Sequence, residues 1–269
     1  MKTALRQILL AKKNLWTASA ITAQLWLDGA DVSTLTNVSG GYSQWNDKSG
    51  NNAHVTKASS PFPQSTTING KNAVRFNGNT FLQNTVKQFP LQTRSVYIVF
   101  RENTSIPNQG FFTINPTTGN DYDRSDAIVY CPSNKSSSYF IIIGGTNVSY
   151  ILQYADNPSQ ASPLAIYQET KNSSIGKAYF NATQVASSSS FSEFSLLSGG
   201  GYLLGARYLG GAIASSGSLL NGDICEIIYL DFVPPVADDQ RMQGYLAHKW
   251  GLTANLPSDH PYKTTPPYL

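Results

Sequence analysis

Charge is the scarcest commodity in this 269-residue chain: only 13% of residues are Asp, Glu, Lys or Arg, about half the share usual in soluble domains. Coiled coils and helical repeats, whose exposed faces need Glu, Lys and Arg, are excluded on that ground. Cysteine is nearly absent, with Cys131 and Cys225 alone, each within or at the end of an apolar run. Buried thiols fit both positions, and their spacing neither requires nor forbids a bridge. The three histidines, His54, His248 and His260, are isolated, and no CxxC or HxxxH cluster suggests zinc. No GxSxG elbow occurs, and the glycines at 199–201 precede a strand-like run rather than the helix a phosphate cradle needs. No run approaches the roughly 18 apolar residues of a membrane span.

Acidic residues are missing altogether before Asp28, whereas Lys2, Arg6, Lys12 and Lys13 are basic. Without these four, 15 basic side chains face 16 acidic ones, so the formal charge of +3 belongs to the first residues. The body shows no basic stripe interleaved with aromatics, which argues against nucleic acid as a partner. In the first 18 residues the apolar stretch Ile8–Ala11 is cut short by Lys12 and Lys13, too short for a secretory h-region. Leu5, Ile8 and Leu9 keep helical spacing, and Leu15 and Trp16 follow. Residues 1–18 are read as a basic amphipathic arm. Leu5, Ile8, Leu9, Lys12, Lys13 and Trp16 are its candidate partner-docking residues; a helix packed on its own domain, a frayed tail and a membrane-surface helix with a short apolar face are the other readings.

What the chain has in quantity is short β-branched and aromatic runs. They include AQLWLD (23–28), NAVRFN (72–77), RSVYIVFR (94–101), LAIYQE (164–169) and DICEIIYLD (223–231), separated by Gly, Ser, Asn and Pro turns. Many short strands with such turns predict an all-β antiparallel sandwich or barrel over residues 19–257. A single helix is expected at about 237–250. Met242, Tyr245, Leu246 and Trp250 form an apolar stripe, Asp238 and Asp239 occupy its first turn, and His248 and Lys249 its last. Gly251 ends it, and residues 258–269 form an extended Pro-rich tail.

The segments LWLDGADVSTLT and SQWNDKSGNNAHVTK, then NGKNAVRFNGNTFL, and finally GDICEIIYLDFVPPVADDQRMQGYLAHKWGL with NLPSDHPYK resemble, in that order, the concanavalin A-like lectin/glucanase (LamG-like) jelly-roll family. The resemblance implies a concanavalin A-like jelly-roll sandwich of the type found in tailed-phage virions. It also implies a setting: a virion component made in the host cytoplasm, present in many copies. Through its arm it would join other virion proteins, and it would contact neither membrane nor nucleic acid. Glucanase members carry an E-x-D-x-E strand. Here Asp223, Glu226 and Asp231 are spaced by three and five, and on a regular strand Glu226 would face away from both aspartates. The expectation is therefore a non-catalytic module that serves adhesion to host cell-surface glycan, with Glu226 as a structural hydrogen-bonding residue. A site assembled across strands stays open, as do a connector without ligand, a glycan hydrolase and a secreted adhesin.

Two polar stretches remain. Trp45 with Asn46, Asp47 and Asn52 combines an aromatic face with amides and a carboxylate, the mixture a sugar site uses, although a core tryptophan beside a turn reads the same way. Asp121, Asp123 and Asp126 are candidate calcium ligands without EF-hand spacing, and Asx turns account for them equally. No other cofactor is expected.

Overall fold

The computed structural model describes residues 14–104, 108–114, 119–121, 128–131, 140–144, 150–154, 164–172, 175–189, 201–215 and 217–269. In chain order the first strands are β1 (Leu25–Asp28), β2 (Leu35–Val38), β3 (Gly41–Trp45), β4 (Val55–Thr56), β5 (Gln64–Ile68), β6 (Lys71–Asn77), β7 (Leu82–Asn84), β8 (Arg94–Glu102) and β9 (Phe112–Ile114). They continue with β10 (Ile128–Cys131), β11 (Phe140–Gly144), β12 (Tyr150–Tyr154), β13 (Ala165–Lys171), β14 (Gly176–Phe180) and β15 (Thr183–Ser188). The last are β16 (Tyr202–Leu204), β17 (Tyr208–Leu209), β18 (Ala212–Ile213) and β19 (Asn221–Leu230), followed by helix α1 (Val236–Trp250).

Two antiparallel sheets carry the fold. One runs β15-β14-β13-β8-β19-β6-β5, with β1 also paired to β19; the other runs β12-β11-β10-β9-β16-β7-β4-β3-β2. Strands far apart in sequence are neighbours in each sheet, as in a jelly roll, so the expected all-β sandwich is the architecture found. Leu27, Val74, Ile98, Phe100 and Ile227 from the first sheet meet Trp45, Val55, Phe112, Tyr202 and Leu204 from the second in one buried core.

The first sheet is covered on its other face too. Trp26, Tyr97, Val99, Ile166, Ile228 and Leu230 pack beneath Met242, Tyr245, Leu246 and Trp250 of α1. This explains why RSVYIVFR reads as a continuous apolar run: β8 is central and covered on both faces, so alternation is lost. The helix ends where expected. Gly251 adopts φ 71°, and Asn69 Nδ2 donates to the Trp250 carbonyl at 2.7 Å. Gly244 is fixed by close approach, because a Cβ there would lie 2.5 Å from Tyr262 Cβ.

The C-terminal tail returns to the start of the described chain. Trp16 N donates to the Pro267 carbonyl at 3.0 Å and Leu269 N to that of Asn14 at 2.9 Å. Trp16 is buried, edge-on to Tyr245 with ring centroids 6.0 Å apart. Its expected role in partner docking is thereby corrected: its apolar surface is already covered by its own domain. Leu5, Ile8, Leu9, Lys12 and Lys13 lie outside the described residues. Among the described residues no helix is long and apolar enough to cross a membrane.

Candidate functional site

The 43–54 segment is not a sugar platform. Trp45 has no exposed surface and points into the core between the sheets, so it offers no face to a ligand. Asp47 is buried and organises the loop. Its Oδ1 accepts from the backbone N–H groups of Trp26 and Ser49, both at 2.9 Å; its Oδ2 accepts from Ser49 Oγ at 2.7 Å and Ala53 N at 3.1 Å. Asn46 is held by Gln44 Nε2 on its side chain and by its own N–H on the Thr34 carbonyl. Asn52 is exposed in a left-handed turn at φ 55°. A buried acceptor ringed by four donors needs the same residue types as a sugar site, and here it has used them for folding.

Asp121 is likewise corrected. It is fully buried, pairs with Arg207 through both oxygens and accepts from Tyr208 N at 2.9 Å. A carboxylate neutralised by a guanidinium is a poor cation ligand. Asp123 and Asp126 lie outside the described residues. Among the described residues no three His, Cys, Asp or Glu side chains converge as a metal site.

The carboxylates of β19 do not follow the regular alternation. The ladder with β8 shifts register between Ile224 and Glu226, leaving Cys225 as an extra residue. This bulge turns Asp223 and Glu226 to the same outer face, contrary to the expectation from their spacing. Asp28 on β1 is directly opposite Glu226. Glu226 is fully buried under α1 and accepts from Trp26 Nε1 at 2.8 Å, Tyr245 OH at 2.9 Å and Trp250 Nε1 at 2.8 Å. Lys249 Nζ bridges the two acids, 2.7 Å from Glu226 Oε2 and 2.6 Å from Asp28 Oδ1; Lys48 also pairs with Asp28 at 3.0 Å. Burial pushes the Glu226 carboxyl above its ordinary range, and Lys249 opposes that rise. The expectation of a structural hydrogen-bonding role fits these contacts: Glu226 pins α1 to the sheet.

An open groove lies at the other end of the helix. Its floor is Thr170 of β13 with Lys177 and Tyr179 of β14; Asn172 and Ile175 form one wall, and Val233, Pro234, Val236 and Asp239 the other. Lys177 and Tyr179 share a face because strand side chains repeat every two residues. Its volume of about 220 Å³ is below the roughly 300–1,000 Å³ of pockets that enclose a drug-sized ligand. That suits a single sugar ring better.

Asp239 sits in the first turn of α1, where the helix dipole favours its charge. It accepts from Tyr97 OH at 2.5 Å, Gln168 Nε2 at 2.7 Å and Gln243 Nε2 at 3.0 Å. Burial raises its pKa above the usual carboxylate value, against the effect of the Tyr97 and Gln168 bonds. An ionised carboxylate offers about four acceptor positions, so among the described residues one is left unused. Burial also raises the Tyr179 hydroxyl, and the nearby Asp239 charge adds to it. Sequence reading missed this groove. The i, i+2 pair Lys177/Tyr179 was readable, but its meeting with the first turn of a helix sixty residues later was not.

Fold and site together define a jelly-roll-like antiparallel sandwich with a small polar-aromatic groove beside its closing helix. No protein-family model matches the sequence, and no curated protein matches it. Among solved structures, the chain is similar to domain 4 of AbnA, a GH43 extracellular arabinanase from Geobacillus stearothermophilus, solved with arabinotriose. The TM-score is 0.56 at 11% identity, covering 78% of this chain and 93% of that one. The binding domain of Paraclostridial Mosquitocidal Protein 1 matches with TM-score 0.54 at 10% identity, over 79% of this chain and 51% of that one. The binding domain of Botulinum neurotoxin DC, in complex with rat synaptotagmin II, gives 0.52 at 13%, over 81% and 50%. The chain thus spans about half the length of the two toxin chains. At these identities the likeness is one of fold.

Proposed function

We propose that this protein is a non-catalytic glycan-binding module, with one sugar residue seated in the groove beside α1. The observation that carries the reading is the composition of that groove: a half-buried Tyr179 ring beside Lys177, Asn172 and the one uncommitted acceptor position of Asp239. A tyrosine face takes the apolar side of a sugar ring, and the charged and amide groups orient its hydroxyls. Support comes also from the fold shared with an arabinanase domain solved with arabinotriose and with two toxin binding domains. The non-catalytic part is supported by the carboxylates. Glu226 is sealed beneath α1, and Asp28 and Asp223 are buried and paired with cations.

The setting we propose, a tailed-phage virion displaying many copies, is carried by the sequence resemblance alone. Multiple copies would turn weak single contacts into avid adhesion. A glycan array followed by calorimetry on the best ligand tests the reading. Tyr179→Ala should weaken that ligand roughly tenfold, about 1.4 kcal/mol, with an unchanged melting temperature. Unaltered affinity in a folded Tyr179→Ala protein, or turnover of the ligand by the wild type, would overturn it.

A further inference from the structure

On the same outer face of the first sheet, away from the groove, two polar rows lie side by side. Asp223 of β19 is in register with Arg75 of β6 on one side and Arg101 of β8 on the other. Asp223 Oδ1 accepts from Arg75 Nε at 2.7 Å, and Oδ2 accepts from Arg75 Nη2 at 3.0 Å and from Arg101 Nε and Nη2 at 3.0 and 2.5 Å. Two residues along, Asn221 is in register with Asn77, and Asn103 continues the β8 side, its N–H donating to the Asn221 carbonyl at 2.9 Å. The result is Arg–Asp–Arg beside Asn–Asn–Asn.

Four features separate this surface from an ordinary ion pair. Asp223 has no exposed surface, whereas the Arg75 and Arg101 side chains are 37% and 35% exposed. One guanidinium neutralises one carboxylate, so the second leaves a net positive charge at the surface. Among the described residues each arginine also commits only Nε and Nη2, which leaves the Nη1 donors free. Finally, none of the three asparagine side chains has a hydrogen-bond partner among the described residues; Asn77 and Asn103 are exposed and Asn221 half-exposed. Strand spacing makes the patch roughly 10 Å wide, and the two rows are about 7 Å apart. That is the footprint of one or two sugar rings.

We infer that this platform binds the anionic substituent of an acidic glycan, a carboxylate or sulfate group, on the Arg75/Arg101 pair, while the asparagines take its hydroxyls. Planar guanidinium donors match the paired oxygens of both anions, and Asp223 holds them in place before the ligand arrives. The inference rests on the glycan reading for its ligand class but uses a surface separate from the Tyr179 groove.

The test is calorimetry with three probes at low ionic strength: tetragalacturonate, a sulfated galactose tetramer and the neutral galactose tetramer. The wild type should bind at least one anionic probe at least tenfold more tightly than the neutral one, and the two anionic arms show which group is preferred. Arg101→Gln, which leaves Arg75 to neutralise Asp223, should remove that preference while retaining the wild-type melting temperature. Arg75→Gln should do the same. Tyr179→Ala should leave the preference intact. An anionic preference that survives both arginine variants overturns the platform. Absence of any preference in a wild type that still binds neutral glycan through Tyr179 overturns the platform but spares the groove. No binding of any probe or array glycan overturns both.

Discussion

Removing the Glu226 carboxylate should unseat helix α1, and the size of the loss follows from its contacts. In Glu226→Ala the buried indole N–H groups of Trp26 and Trp250 and the hydroxyl of Tyr245 each lose their acceptor. An unsatisfied buried donor costs about 1–3 kcal/mol. Lys249 keeps Asp28, so its charge stays paired. The three donor penalties are not additive, since the void left by the side chain gives water room to enter. Three orphaned donors, partly rescued by that water, set the expected destabilisation at about 3–5 kcal/mol, the low end of their summed cost. For a domain of this size each kcal/mol lowers the melting temperature by about 2–4 °C, so the fall should be roughly 6–20 °C.

Urea unfolding followed by tryptophan fluorescence suits the measurement, because two of the four tryptophans donate directly to Glu226. Glu226→Gln should lose less, about 1–3 kcal/mol. Its carbonyl keeps one of the two indole partners while its amide faces the other donors. A Glu226→Ala protein within about 1 kcal/mol of wild type would refute the clamp.

Two further outcomes follow from buried charge. Asp239 holds its proton to higher pH in the folded protein than its unperturbed value of 3.8, so its contribution to stability is fully present at low pH. That contribution falls as pH rises from about 3.8 through the elevated folded value. The difference in urea stability between wild type and Asp239→Asn should thus decline with rising pH across that window; a difference that grows would contradict the assignment. In the core, Arg94 and Glu169 are both fully buried, joined by Nε–Oε2 and Nη2–Oε1 contacts of 2.8 and 2.5 Å, with Tyr130 OH also on Glu169 at 2.7 Å. Arg94→Met should cost about 3–5 kcal/mol in equilibrium unfolding, and adding Glu169→Met should recover much of it. A double variant no more stable than the single one would show that the ion pair is not what the single variant lost.

Much of the fold was legible because it depends on local pattern. The unbroken apolar run of β8, the closing helix with its acidic first and basic last turns, and Gly251 as its stop follow from chemistry within a few residues of each position. The site was not legible in the same way. Trp45, Asn46, Asp47 and Asn52 have the composition of a sugar site and equally that of a loop folded around a buried carboxylate. The contact from Trp26 on β1, which joins those from Ser49 and Ala53 in the same loop on the Asp47 carboxylate, decides between these. Trp16 illustrates the same point: an apolar residue near a basic segment fits a docking arm until Tyr245 and the returning tail are seen to cover it.

The bulge at Cys225 shows where counting along a strand fails. Period-two arithmetic assumes an unbroken ladder, and one extra residue reverses the facing of everything on one side of it relative to the other. Ile227 and Tyr229 face the core, and on a regular strand Asp223 would share their face. It would then be a carboxylate between the sheets, far from the arginines that neutralise it. With the bulge, Ile224 faces the core instead, and Asp223 emerges between Arg75 and Arg101. Asn221 moves with it. The irregularity that turns Asp223 and Glu226 to one face is therefore also what places Asp223 between Arg75 and Arg101 on the outside of the sheet.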